Sequence, residues 1–174
     1  MKRTVMSLAL VTCLALLALT ATGCQMIAQK ATESAIQGAT GGAVNVKGDS
    51  VTIKDKDGAE ATISNETKIP AGFPSEVPLR DDGNVKAVIT SQASGGGTSY
   101  MVSIQFKVPQ SEVLDWYKTE LEKGGWTIGS TVNTGDGGMV SAEKGDLTLN
   151  VVTGSENSDG YTSVVTMQVG PKSK

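Results

Sequence analysis

Residues 100–125 read YMVSIQFKVPQSEVLDWYKTELEKGG, and the hydrophobic period of this stretch changes once, at Pro109. From Tyr100 to Val108 every second side chain is large and apolar, which predicts a strand with one buried face. Pro109 suits the first position of a helix, and beyond it apolar side chains recur at helical spacing until Gly124-Gly125. These apolar positions are Val113, Leu114, Tyr117 and Leu121. The stretch therefore predicts a strand followed by a helix over 110–123.

The strand pattern recurs on both sides of this pair of elements. The other segments with alternating apolar side chains are 85–89, 126–132, 139–143, 147–153 and 162–169. Turns connect the last four, and short connections force neighbouring strands to run antiparallel. Residues 79–170 are therefore predicted to form an α+β domain of order ββαββββ, an antiparallel sheet with one packed helix and a short tail over 171–174. The opposite face is expected to be polar and wet, or covered by the preceding segment.

Two smaller units precede this domain. Residues 43–68 alternate with period two between turns at 48–50 and 55–58, which predicts a small three-stranded meander with one aliphatic face. Residues 69–78 read IPAGFPSEVP, and the prolines are expected to hold this brace extended, with Phe73 and Val77 packed against the next domain. The alternative for the brace is a polyproline ligand for a partner protein.

The first residues carry the features of a secretory signal. A basic start, Met1-Lys2-Arg3, precedes an uncharged apolar run from Val5 to Ala21, and small residues then lead to Cys24. This pattern predicts a signal peptide over 1–23 that is removed after export. One alternative is an uncleaved membrane-spanning helix, although the run lies at the lower edge of the roughly 17–25 residues that a span needs. The other is a plain secreted protein without lipid.

Ala21-Thr22-Gly23-Cys24 resembles the lipobox of bacterial lipoproteins. The resemblance implies cleavage between Gly23 and Cys24, lipidation of Cys24 and residence in the bacterial cell envelope. Each buried methylene contributes about 0.8 kcal/mol, so two or three acyl chains hold a protein firmly on a membrane. Gln25 at the next position resembles lipoproteins sent to the outer membrane in a Gram-negative host.

Residues 24–42 lie between this anchor and the first strand. The segment from Gln25 to Gln37 has a weak apolar stripe and lacks glycine and proline, which predicts a short helix that ends in the glycines at 38–42. An isolated helix of this length is marginal in water, so the segment is interpreted as a helical tether with a glycine linker. The alternative is a helix that lies on the membrane surface.

The composition excludes several kinds of function. The chain has no histidine, and its two cysteines are Cys13, in the apolar run, and Cys24, so lipidation leaves no free thiol. Disulfides, cysteine-ligated zinc and the commonest general base are therefore not expected in the mature protein. Without residues 1–23 the chain has 13 basic and 18 acidic side chains. This mildly acidic balance gives no electrostatic reason to bind nucleic acid.

Acidic motifs are the candidates for metal binding or catalysis. The turns at 55–58, 81–84 and 135–138 contain fragments of a calcium-loop pattern, but turn chemistry explains them. Carboxylates along the helix could perform acid–base chemistry, although they do not share its apolar face. They are Glu112, Asp115, Glu120 and Glu122. No metal, cofactor or catalytic residue is expected, and the protein is not expected to be an enzyme.

Aromatic side chains supply the candidate binding surface. Trp116 adjoins Tyr117, and neighbours on a helix diverge by about 100°, so Trp116 is expected at the helix margin. Together with Phe73 and Trp126 it could form a surface for a glycan or a protein. The plainer alternative places these rings at the edge of the core.

A meander, the Ile69-to-Pro78 segment, two strands and a helix that runs into Gly125-Trp126 resemble a group of uncharacterised bacterial lipoproteins and exported proteins. The resemblance covers roughly residues 40–130 and implies no activity. We therefore expect a lipid-anchored, non-catalytic binding or scaffold module of the cell envelope. Its partners would be the membrane and an envelope protein or glycan. The alternatives are a histidine-free hydrolase, which needs clustered acids in a cleft, and a receptor for a small ligand or glycan, which needs an enclosed apolar pocket.

Overall fold

The computed structural model describes residues 42–47, 50–64, 67–93 and 96–172. In this part of the chain, nine strands form one antiparallel sheet and a helix packs on one of its faces. The elements are β1 (Ala43–Lys47), β2 (Ser50–Lys54), β3 (Glu60–Ser64), β4 (Asn84–Gln92), β5 (Thr98–Phe106), α1 (Gln110–Lys123), β6 (Thr127–Asn133), β7 (Gly137–Lys144), β8 (Leu147–Ser158) and β9 (Tyr161–Pro171). The predicted α+β class is confirmed. The predicted signal peptide, the lipidation site and the tether up to residue 41 lie outside the described residues.

The strand order across the sheet is β1-β2-β3-β4-β5-β9-β8-β7-β6. Helix α1 carries the chain from β5, in the middle of the sheet, to β6 at its far edge, and three hairpins then return β9 to the side of β5. The meander continues this sheet, because β3 pairs with β4 and sets Ile63 opposite Ile89. Strand β3 therefore has a hydrogen-bonded neighbour on each side, which satisfies its backbone groups. Because the meander extends the sheet sideways, it does not cover the face opposite α1.

The core lies between α1 and the C-terminal half of the sheet. Alternation along β5 buries Val102, Ile104 and Phe106 on the helix side, and the equivalent positions of β7, β8 and β9 continue this layer. From the helix, the predicted apolar positions contribute the facing layer. They are Val113, Leu114, Tyr117 and Leu121, all at 2% exposure or less. Each such side chain contributes roughly 1.5–3 kcal/mol by burial, so this interface dominates the stability of the domain.

The ends of α1 are fixed by backbone and amide hydrogen bonds. No side chain caps its N-terminus; instead the buried Gln110 side chain donates to the Gly135 carbonyl oxygen at 3.0 Å and accepts from the Thr153 hydroxyl at 2.7 Å. At the C-terminus Gly125 has a φ of 76°, and the Trp126 amide donates to the Leu121 carbonyl oxygen at 3.0 Å. The positive φ favours glycine and allows the chain to reverse directly into β6.

The proline-rich brace does not run extended as predicted. The Phe73 amide donates to the Pro70 carbonyl oxygen and the Val77 amide donates to the Pro74 carbonyl oxygen, which closes two successive turns. Pro70 and Pro74 therefore each start a four-residue turn, and the Pro-x-x-apolar repeat brings Phe73 and Val77 to the same side. Val77 is buried in the core and Phe73 packs edge-on against Tyr100, so this segment covers the helix side of the sheet next to β5.

The last hairpin is longer than predicted. The sequence pattern predicts strands over 147–153 and 162–169 with a turn between them, yet β8 continues to Ser158 and β9 begins at Tyr161. Asp159 and Gly160 both have positive φ, 52° and 79°, which is the two-residue turn that matches strand twist. The register shifts between Ser155 and Ser158, so a bulge absorbs the irregular sequence.

Candidate functional site

Arg80 is the centre of a charged and aromatic cluster at the margin of α1. Its guanidinium donates from Nε and Nη2 to the two carboxylate oxygens of Asp82, both at 2.8 Å, and reaches Glu112 Oε1 at 3.3 Å. Its Cζ lies 5.7 Å from the ring centroids of both Phe106 and Trp116. The Arg80 side chain is 14% exposed. The cluster therefore ties the loop before β4 to strand β5 and to the first turn of α1.

The electrostatics of this cluster favour a structural role over proton transfer. The hydrogen bonds from Arg80 hold the pKa of Asp82 below its usual value, and the same bonds raise the pKa of Arg80. Both groups therefore remain charged across the physiological range. Burial raises the pKa of Tyr117 beneath them; its hydroxyl makes no hydrogen bond of normal geometry, although the backbone of Arg80 lies near it. None of these groups is poised to exchange a proton near neutral pH.

The face of the sheet opposite α1, named here the open face, carries a polar depression. It has a volume of about 220 Å³ and is lined by Ser99, Thr148, Asn150, Gln168, Gly170 and Pro171. Asn150 and Gln168 lie directly opposite each other on β8 and β9, and both are exposed. A Cβ added at Gly170 would overlap the Ser99 hydroxyl, so the glycine lets Ser99 approach the floor. The lining offers hydroxyl and amide groups and no charge, which suits an uncharged polar ligand.

Aliphatic side chains flank this depression on the open face. On the N-terminal side the register places Val51, Ile63, Ile89 and Met101 in one row across β2 to β5. On the other side, Val132, Met139 and Val152 form a second row across β6 to β8. The depression thus lies between two apolar rows. Their side chains are on the open face because successive side chains of a strand point to opposite faces of the sheet, and the others belong to the core.

The structure places the three predicted aromatic site residues in different surroundings. Trp126 is 4% exposed and donates its indole N–H to the Glu76 carbonyl oxygen at 3.0 Å. Phe73 and Trp116 are half-buried against the core, at Tyr100 and at Tyr117 respectively. No ring contact joins Phe73, Trp116 and Trp126 to one another in the described part of the chain. Gly23 and Cys24 lie outside the described residues.

Several carboxylates of the acidic motifs have structural partners. The Asp55 carboxylate accepts from the amides of Asp57 and Ala59, which shapes the turn between β2 and β3. On the helix, Glu112 contacts Arg80, and Glu120 accepts from Lys123 at 2.7 Å. Within the ranges that the structure describes, no three acidic side chains come together in a geometry that could hold a metal ion.

Sequence reasoning missed both the Arg80 cluster and the polar depression. Arg80 and Glu112 are separated by 32 positions, and the run Arg80-Asp81-Asp82-Gly83 has the composition of a turn. The available signal was a lone arginine between the brace and the first strand of the domain. The depression gave no local signal, because its residues come from three strands whose order the sequence did not define.

Comparisons with known proteins give one similarity. Residues 86–166 match the family model described as START domain-like. The matched region runs from β4 into β9 and includes α1, while β1 to β3 and the Arg80 loop precede it. A search of curated proteins and a search of solved structures found no match. The similarity therefore concerns α1 and the strands from β4 to β9.

Proposed function

We propose that this chain is a lipid-anchored protein of the bacterial cell envelope that acts by binding and not by catalysis. In this proposal, lipid on Cys24 holds the chain on a membrane, which is the outer membrane in a Gram-negative host. Residues 24–42 act as a helical tether with a glycine linker. The folded part then binds an envelope glycan or protein on its open face.

The observation that carries the binding proposal is the uncharged polar depression between two aliphatic rows. Amide and hydroxyl groups provide directional hydrogen bonds, and the rows on either side provide apolar contact. The START domain-like similarity of residues 86–166 supports the same class of function, since START-like domains are generally ligand-binding. A glycan fits the lining better than an ionic ligand does, because the lining side chains bear no charge.

The anchoring proposal rests on the sequence pattern from Met1 to Gln25. The basic start, the uncharged apolar run and the cysteine after small residues give one consistent assignment. In the described part of the chain, no helix has the length and apolarity that a bilayer span requires.

The hydrolase alternative requires a carboxylate kept protonated near neutral pH by burial or by a like charge. Among the carboxylates that the structure describes, Asp82 has a clearly perturbed pKa, and Arg80 lowers that pKa instead of raising it. The receptor alternative in its enclosed-pocket form requires an apolar cavity, whereas the depression described above is polar. The binding proposal therefore keeps a glycan as the ligand but places it on the open polar depression and not in an enclosed apolar pocket.

The anchor is tested by mass spectrometry of the N-terminus of protein purified from the envelope fraction. The expected result is a chain that begins at Cys24 with acyl groups on it, and Cys24→Ser should leave an unmodified, longer chain. An intact Met1 or an unacylated Cys24 in the wild-type protein would overturn the anchoring proposal.

The binding surface is tested by NMR titration of the protein with a panel of neutral oligosaccharides, including fragments of cell-wall glycan. Shift changes are expected to concentrate at residues 148–150 and 168–170, and Asn150→Ala/Gln168→Ala should weaken binding at least tenfold. Thr52→Ala/Thr62→Ala is the matched control, because this hydroxyl pair lies on β2 and β3, near the opposite end of the sheet from the depression. Shifts confined to the Arg80 cluster, or equal losses in both double variants, would contradict the assignment.

A further inference from the structure

Strand β6 forms one edge of the sheet and has few of the features that protect edges. Its sequence, TIGSTVN, contains no charged residue and no proline, and six of its seven residues are exposed. Natural edge strands usually carry lysine, proline or inward-pointing charges that prevent pairing with another chain. Here the protection is limited to a register shift between Ile128 and Ser130. From Ser130 to Asn133 the edge is regular and uncharged.

The hairpin geometry tells which backbone groups of β6 point outward. The Thr134 amide donates to the Gly137 carbonyl oxygen at 2.9 Å, so these two residues form a hydrogen-bonded pair. Hydrogen-bonded and non-hydrogen-bonded pairs alternate along an antiparallel ladder. Val132 therefore bonds to Met139 within the sheet, whereas Thr131 and Asn133 direct their N–H and C=O groups away from β7. In the described chain no strand lies beyond β6 to receive them.

The side chain between these outward-facing groups is an exposed valine. Val132 is 46% exposed, and its row on the open face continues through Met139 to Val152, which is 47% exposed. Three large hydrophobic side chains are exposed in the described chain, and two of them are these valines; the third is Leu79. Exposed apolar surface is thus concentrated beside the edge that has unpaired backbone groups, which is a feature of interaction surfaces.

We propose that a second copy of this chain pairs with β6, antiparallel and edge to edge, with the two-fold axis at Val132. In this register Thr131 forms a hydrogen-bonded pair with the partner's Asn133, and Asn133 pairs with the partner's Thr131. Val132 then lies directly opposite the partner's Val132 in a non-hydrogen-bonded pair, where side chains approach most closely. The aliphatic row becomes continuous across the axis, and both open faces lie on the same side of the joined sheet.

A second copy fits this edge because the edge is complementary to itself. A two-fold interface requires the same patch on both subunits. The three residues from Thr131 to Asn133 meet that condition, because an axis at Val132 pairs this segment with the same segment of the second copy. The absence of charge from Thr127 to Asn133 removes like-charge repulsion at the axis. A contact of this length buries less than the roughly 1,200 Å² typical of stable complexes, so the dimer is weak and depends on concentration. This inference does not depend on the proposed glycan binding or on the lipid anchor.

Disulfide trapping in bacteria that produce the full chain tests the axis. Cβ atoms of a non-hydrogen-bonded pair lie about 4.5–5.5 Å apart, close to the range of a disulfide, so Val132→Cys should cross-link to its own copy under mild oxidation. Ser130→Cys is the matched control on the same strand and face, because its copies would lie four residues apart along the strand, at about 13 Å. Cys13 and Cys24 are left unchanged in both variants, and the linked peptides are identified by mass spectrometry.

The expected result is a cross-link through position 132 in at least tenfold excess over position 130. Equal yields at the two positions, or no link at position 132, would overturn the proposal. As a second measurement, the wild-type chain should show a concentration-dependent dimer by sedimentation, and Thr131→Pro should abolish it. That proline removes an outward N–H that plays no part in the β6–β7 ladder, so circular dichroism should remain unchanged. A monomeric wild type, or a dimer that survives Thr131→Pro in a folded protein, would also overturn it.

Discussion

Arg80→Ala should destabilise the domain mainly through lost packing and ring contacts, and less through lost charge pairing. Two cation–π contacts at 5.7 Å contribute about 0.5–1 kcal/mol each. The two stem methylenes that alanine lacks contribute about 1.6 kcal/mol at roughly 0.8 kcal/mol each. The carboxylates of Asp82 and Glu112 are 47% and 56% exposed, so each ion pair contributes only about 0.2–1 kcal/mol. The sum predicts a loss of about 3–5.5 kcal/mol.

Urea unfolding, followed by the fluorescence of Trp116 and Trp126, measures this loss. If packing dominates, Asp82→Asn should cost at most about 1 kcal/mol, well below the cost of Arg80→Ala. Salt separates the two contributions further, since 1 M NaCl reduces the screening length to about 3 Å and weakens exposed ion pairs more than buried contacts. The destabilisation by Arg80→Ala should therefore persist in 1 M NaCl.

A double-mutant cycle with Trp116→Leu isolates the ring contact. The coupling between Arg80→Ala and Trp116→Leu should be about 0.5–1 kcal/mol, because the two side chains touch directly. Zero coupling, together with an effect of Arg80→Ala that disappears in high salt, would refute the reasoning. In that case the cluster would be an ordinary surface ion pair.

Three further predictions follow from single positions. The wild type should be more stable than Asp82→Asn at neutral pH, and this difference should fade as the pH falls below about 4. The folded-state pKa of Asp82 is lowered, so its contribution to stability is lost as the carboxylate is protonated. Urea midpoints of the two proteins at pH 7, 4 and 2.5 measure this. Burial raises the folded-state pKa of Tyr117, so the wild type should lose stability above pH about 10, where the unfolded chain ionises more readily. Tyr117→Phe removes a buried hydroxyl that makes no hydrogen bond, so this variant should be as stable as the wild type at pH 7 and should not show the alkaline loss. Equal loss of stability at alkaline pH in the two proteins would contradict this. Gly138→Ala should destabilise the protein by about 1–3 kcal/mol, because the new methyl group overlaps Leu114 of the helix. In Gly154→Ala on β8 the new methyl group meets nothing closer than 3.8 Å, so this variant should lose less than 1 kcal/mol. Thermal unfolding compares the two variants.

The elements that the sequence predicted well are those that local chemistry defines. The helix over 110–123 has a proline before it and two glycines after it, and its apolar face is unbroken, so its bounds and its buried side chains follow from the sequence. The nine strands were found for the same reason, since alternation is a local pattern. The far end of the β8–β9 hairpin was missed because Ser155 to Ser158 have poor strand propensity and pair only through the turn at Asp159-Gly160.

The features that the sequence did not predict depend on contacts between distant parts of the chain. To predict the strand order, one must know that α1 carries the chain past the positions of three strands before β6 begins. The hydrophobic period of the sequence gives no information on how far a connection crosses the sheet. The same holds for the Arg80 cluster and for the polar depression, whose residues meet only after β5, β8 and β9 are neighbours. The turns of the brace were mispredicted for a different reason: three prolines suggest extension, but Ala71-Gly72 and Ser75-Glu76 leave two flexible pairs between them.

Under the binding proposal, the two faces of the sheet have different roles, one in stability and one in ligand binding. On the helix side, α1 covers β6 to β9 and the turns around Phe73 and Val77 cover the part next to β5, so the side chains there are committed to the core. The Arg80 cluster joins these two covers, and its donors are occupied by its own carboxylates. On the open face, the Asn150 and Gln168 side chains are exposed and lack such partners, and the β6 edge carries outward-facing backbone groups. Variants at Asn150 and Gln168 should therefore alter ligand binding at constant stability, and variants at Arg80 should do the reverse.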